Sequence, residues 1–172
     1  KKSNGYKTIQ VVDQIMNLYT LLYLKYELKY NTYDELIKEG LDFIDNIYNR
    51  CGIVPYRGLN KDYILIDTLG MICPFLMRYS HYTKNKRYSE ISTNQLINFI
   101  NNGIDKESYF PYHSYGLISK SNNGSDEWGR GIGWMMIGFI DSMQYMDTED
   151  EYFKIFKEYL NKFIPELIKY QD

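Results

Sequence analysis

Apolar positions along the chain recur at the spacing of a helix face rather than alternating. Ile9, Val12, Ile15, Met16, Leu18, Tyr19, Leu22 and Tyr23 predict a helix within Ile9 to Leu28. Asn31-Thr32 interrupts the pattern. Leu36, Ile37, Leu41, Ile44 and Ile47 resume it from Tyr33 to Tyr48, and Gly52 closes it. After a Pro- and Gly-containing loop from Gly52 to Asp62, a strongly apolar helix is predicted from Asp67 to about Ser80, kinked at Pro74. A turn at Thr83 to Arg87 leads to a helix over about Tyr88 to Asn101. The last pair is Ile132 to Met146 and Glu151 to Tyr170, joined by a turn at Asp147 to Asp150. Three helical hairpins follow, with no period-2 strand, so the expected class is all-α in a single domain over 1–172.

The hairpins read as weak repeats. Their first helices end alike, in Leu24-Lys25-Tyr26, Met77-Arg78-Tyr79 and Met143-Gln144-Tyr145. Aligned on those tyrosines, Asp13, Asp67 and Gly133-Trp134 take equivalent places at the helix starts. Repeats stacked side by side would bring these residues to one end, together with Arg57 and His113 from the connections.

Two stretches on that rim carry candidate chemistry. In Ile64-Leu65-Ile66-Asp67-Thr68-Leu69-Gly70-Met71-Ile72-Cys73, Asp67 is the single carboxylate in an apolar run. Such a group is either a helix cap or a buried acid whose pKa is raised, as a general acid requires. Both readings stand at this point. In Trp128-Gly129-Arg130-Gly131-Ile132-Gly133-Trp134, glycines alternate around an arginine between two tryptophans. No strand precedes it and the spacing is not a dinucleotide fingerprint. Indole faces suit a sugar ring and a guanidinium suits a carboxylate, so a sugar acid fits, against a plain Trp-packed helix start. The connection from Asn102 to Gly131, rich in Gly, Ser, Asn and aromatics, is long enough to expect a functional role. His81 reads as structural, and Asp126-Glu127 as loop charge or a cap.

Composition narrows the classes. With 20 basic and 22 acidic residues there is no basic surface for nucleic acid. The 19 tyrosines could line a carbohydrate groove, serve as half-buried helix-face residues or reflect compositional bias. Cys51 and Cys73 do not form a disulfide framework, and neither they nor the 2 histidines show zinc spacing. No apolar stretch approaches a membrane span, and Lys1-Lys2-Ser3-Asn4-Gly5-Tyr6 lacks a signal-peptide core, so a reducing, cytoplasmic setting is expected. The chain begins without Met, which fits removal of an earlier segment.

Taken jointly, Val12-Asp13, Leu24-Lys25-Tyr26-Glu27, Ile66-Asp67-Thr68-Leu69, Met71, Pro74-Phe75-Leu76, Tyr112-His113 and the Trp128–Trp134 run resemble the unsaturated glycuronyl hydrolases, particularly the unsaturated rhamnogalacturonyl hydrolases. The resemblance covers nearly the whole chain. It implies an (α/α)6 toroid whose site lies at one end of the inner helices, and a hydrolase that hydrates the 4,5 double bond of a terminal unsaturated uronic acid. It assigns Asp67 as acid and base and Asp13 as its partner carboxylate. His113, Trp128, Arg130, Trp134 and Met71 would hold the sugar, and Arg57 the uronate. No cofactor, metal, nucleic acid or membrane is implied; the partner is an unsaturated uronic-acid oligosaccharide. Two departures stand out. Ile132 lies where the family usually has a polar residue. Three hairpins stand where the family has six, as if this were the middle of the ring, so the open edge is expected to be covered by another subunit such as a second copy, by rearrangement or by missing chain. A truncated relative that binds acidic sugars or serves as an assembly module, and a generic helical-repeat module, are the competing readings.

Overall fold

A computed structural model describes residues 8–56, 62–124 and 128–170. The helical periods are realised as six α-helices: α1 (Met16–Tyr26), α2 (Asp34–Ile47), α3 (Ile66–Thr83), α4 (Lys86–Asn102), α5 (Gly129–Met143) and α6 (Glu151–Ile168). A 3-10 turn, Val12–Gln14, precedes α1. Local chemistry sets several boundaries. The Asn85 side chain accepts from the Arg87 N–H at the start of α4, and Asp150 accepts from the Tyr152 N–H at the start of α6. Lys84, in the left-handed region with φ 61°, closes α3.

Helix α3 lies between α1 and α5, and α2, α4 and α6 pack outside them. Because α3 has neighbours on most sides, nearly every residue from Ile66 to Ser80 is buried. That explains its apolar run better than amphipathicity does. Residue size sets how closely α3 and α5 approach. A Cβ on Gly70 would lie 2.5 Å from the Trp134 carbonyl oxygen, and one on Gly138 would lie 2.8 Å from the Leu69 carbonyl carbon. Both sites demand glycine for space, since the obstructing atoms are backbone. Pro74 has no N–H to offer the Gly70 carbonyl, yet α3 continues through it to Thr83.

The three inner helices run the same way. At their far end, the buried Arg78 guanidinium sits among the rings of Tyr19, Tyr23, Tyr82 and Tyr145, with centroids 4.8, 5.4, 5.6 and 5.6 Å away. One cation thus ties the body of α1, the last turns of α3 and the residue beyond α5 together. On α1 and α5, Met16, Tyr23, Ile137 and Ile140 remain exposed.

The expectation of no strands is corrected. Three short antiparallel strands, β1 (Tyr63–Leu65), β2 (Ser114–Gly116) and β3 (Ser121–Asn123), form a sheet in the order β1-β2-β3. At 3 residues each they contain too little alternation to give a period. The helical class holds, because the sheet is a clamp on two loops rather than a layer. The helix starts also differ from the sequence reading. Helix α5 begins at Gly129, before the expected Ile132, so Gly129, Gly131 and Gly133 lie inside it.

Candidate active site

The sheet is what assembles the site. Strand β1 runs directly into α3, and Leu65 pairs with Ser114 of β2. The Ile66 N–H donates to the His113 carbonyl at 3.1 Å, fastening His113 beside the first turn of α3. His113 is held from the other side as well. Gly124, at φ +81°, passes so close that a Cβ there would lie 2.5 Å from His113 Cβ. Upstream, Asp105 accepts from the Ser108 N–H at 2.8 Å and from the Tyr112 hydroxyl at 2.9 Å, anchoring the residue next to His113. These bonds, with the Ser108 backbone first, bring the Asp105 carboxyl down to about 2.

Asp67 is the second residue of α3; the cap position belongs to Leu65, and no side chain caps this helix. The cap reading of Asp67 therefore does not hold. The residue is only 8% exposed. A carboxylate in a first helical turn is ordinarily favoured by the helix dipole. Here burial prevails and lifts the Asp67 carboxyl above its ordinary range. Its own backbone N–H, His113 and Arg130 pull the other way, and the charge of Asp13 adds to the rise. His113 Nε2 lies 3.9 Å from Asp67 Oδ2, so a protonated imidazole forms an ion pair with it.

The aromatic and cationic groups stack outward from this pair. The His113 and Trp128 rings meet edge to face, with centroids 4.7 Å apart. Arg130 lies over the other partner of that contact, its Cζ 4.5 Å from the Trp128 ring centre. Gly131 makes the arrangement possible: a Cβ there would meet Trp128 Cε3 at 2.3 Å. Asp13, in the 3-10 turn before α1, accepts from the Tyr56 hydroxyl at 2.9 Å. Asp13, Asp67, His113, Trp128 and Arg130 therefore share one end of the inner helices.

Met71 and Trp134 are placed differently. They line a separate cleft of about 160 Å³ deeper along the inner helices, with Met16, Tyr19, Gly70 and Ile137 among its walls. Arg57 and Asp126-Glu127 lie outside the described residues. His81 packs against Tyr82 and Tyr145 at the far end, away from this group. Among the described residues, no three His, Cys, Asp or Glu side chains come together as a metal site. Nor is any helix there long and apolar enough to cross a membrane. Tyr56 and Asp105 carry little mark of a role in the sequence, being one tyrosine among many and one loop acid. The adjacency of Tyr56 to Arg57 and of Tyr112 to His113 was the available signal.

The family model described as Glycosyl Hydrolase Family 88 matches residues 1–172. The chain belongs to that family. Among solved structures, a glycoside hydrolase from family 105 of C. acetobutylicum ATCC 824 is similar over 98% of this chain and 49% of its own, at TM-score 0.81 and 23% identity. A possible member of the GH105 family from Klebsiella pneumoniae subsp. pneumoniae MGH 78578 is similar over 98% and 46%, at TM-score 0.85 and 19% identity. The unsaturated glucuronyl hydrolase from Bacillus sp. GL1, responsible for degradation of glycosaminoglycan, is similar over 90% and 46%, at TM-score 0.67 and 18% identity. No curated protein matches the chain. These likenesses make the fold a partial (α/α)6 toroid. The chain spans about half the length of the solved structures it matches.

Proposed function

We propose that this glycoside hydrolase family member acts on oligosaccharides ending in a 4,5-unsaturated uronic acid, by hydrating the double bond. The observation that carries the reading is the buried Asp67 carboxyl, raised above the ordinary range, with His113 beside it and the charge of Arg130, stacked on Trp128, bearing on it. A carboxyl whose burial favours the protonated form is suited to give a proton to C4 of the vinyl ether. The positive charge that develops on C5 and the ring oxygen is quenched by water, whose proton returns to Asp67. The product is a hemiketal at C5. Its opening turns C5 into a ketone and C1 into a hemiacetal, which releases the adjoining sugar with one water consumed. Asp13 would orient that water. Arg130, braced on Trp128, supplies a charge for the uronate, while Trp134 and Met71 would take the sugar beyond it. Arg57 is proposed for the same uronate.

The conjugated double bond absorbs in the ultraviolet, so the test is direct. Mixed with an unsaturated galacturonyl-rhamnose disaccharide, the protein is expected to remove that absorbance. Arg130→Ala is expected to raise KM by roughly tenfold or more with a smaller change in kcat, because a charge-assisted bond to the substrate carboxylate is lost. No decay from a folded protein would instead favour the non-catalytic, sugar-binding relative, a reading supported by the half-length match. As the partner for the exposed faces of α1 and α5 we propose a second copy, since two chains of this size equal the length of the matched structures. Sedimentation should give a dimer mass; a stable monomer would remove that partner.

A further inference from the structure

Gln95 stands out among buried polar groups that the site does not explain. It belongs to the outer helix α4, far from the reacting end in sequence, yet it is fully buried. Its amide is used on both sides. Oε1 accepts from the Val54 N–H at 2.9 Å, while Nε2 donates to the Val54 carbonyl at 3.3 Å and to the Thr68 hydroxyl at 3.3 Å. Gln95 thus pairs with both backbone groups of Val54, much as a neighbouring strand would. A buried primary amide offers two donors, and both are engaged.

Each limb of this bond set leads to one carboxylate. Thr68 follows Asp67, and its hydroxyl donates to the Leu65 carbonyl, tightening the turn from which Asp67 projects. Val54 leads through the buried Pro55, whose ring fixes the backbone, to Tyr56, the donor to Asp13. We propose that Gln95 is a positioning residue that holds Asp13 and Asp67 in register, by fastening the Val54–Tyr56 segment to the first turn of α3. Its kinetic consequence rests on the hydration reading above; its geometric consequence does not. Helix α4 is the outer helix of the hairpin whose inner helix carries Asp67, so the second helix of that hairpin would act on the chemistry without touching substrate.

The test reads the two carboxyls themselves. Asp carboxyl carbons are labelled in the full chain and titrated by NMR in wild type, Gln95→Met, Tyr56→Phe and Thr68→Val. Among the described residues, His113, Arg130 and Asp13 are charged groups bearing on Asp67, and Tyr56 gives a hydroxyl to Asp13. None of these is altered by Gln95→Met. Tyr56→Phe should raise the Asp13 midpoint, because a bond to the ionised form is lost, and Thr68→Val should move that of Asp67. Gln95→Met should move both, and adding Tyr56→Phe to it should displace Asp13 no further. Where wild type turns over, Gln95→Met should lower kcat by roughly 10- to 100-fold at nearly constant KM. A folded Gln95→Met protein with both midpoints at wild-type values overturns the proposal. Should that variant not fold, unmoved midpoints in both Tyr56→Phe and Thr68→Val overturn it equally. Moved midpoints in a protein without turnover would leave the positioning role standing and remove the hydration reading.

Discussion

Asp67→Asn is expected to lower turnover by roughly 10²- to 10⁴-fold, the range that a positioned acid and base contributes, while leaving the helices intact. The amide keeps the size of the side chain and its place in the first turn of α3, but in the proposed hydration it has no acidic proton to deliver to C4 and cannot take one back from water. The same substitution should make the protein more heat-stable near neutral pH. Burial raises the Asp67 carboxyl of the folded protein above the ordinary carboxylate range. The stability linked to such a group is complete below its unfolded pKa and is lost as pH rises through the folded value. At neutral pH the ionised carboxylate is therefore a cost that asparagine does not carry. Thermal melts should show the variant above wild type at pH 7, with the gap closing as pH falls below about 4. Loss of activity together with a gain in Tm would mark Asp67 as a site residue held against the preference of the fold. Turnover equal to wild type would end its assignment as the acid.

Asp67 could be singled out in the sequence because burial leaves a visible trace there: one carboxylate in a run of apolar residues. The helical hairpins were equally legible, since each helix is long enough to repeat its apolar face several times. Two things had no such trace. The strands are too short to alternate, although they bring His113 from a distant loop to Asp67. Gln95 sits in the polar run Ser92-Thr93-Asn94-Gln95, which carries no mark of burial, and its amide is paired by Val54, 41 residues away. Stacking equivalent helix starts predicts a rim, and Asp13, Asp67 and His113 do gather there. Trp134 departs from that picture. Its backbone oxygen and ring lie against Gly70, so its place is fixed by the contact between α3 and α5, and it lines the deeper cleft with Met71.

That contact yields the other large effect. Gly70→Ala is expected to destabilise the protein by about 2 kcal/mol or more, although alanine is the better helix former by about 1 kcal/mol. The added Cβ would stand 2.5 Å from the Trp134 carbonyl oxygen and 2.7 Å from its Cε3. A ring can turn aside; a helical carbonyl cannot without moving α5. In a chain of this size, Tm should fall by roughly 4–8 °C. The displacement would also reach the chemistry, because α3 carries Asp67 while α5 carries Arg130 and Trp134. Gly133→Ala is the matched control, on the same helix as Trp134. Nothing lies within 4 Å of the Cβ it would add, so only the gain in helix preference remains and Tm should rise slightly. Equal stability of the two variants in calorimetric melts would show that α3 and α5 can separate freely. The geometry at Trp134 argues against this, since the group that must yield is part of the hydrogen-bonded backbone of α5 rather than a side chain at its surface.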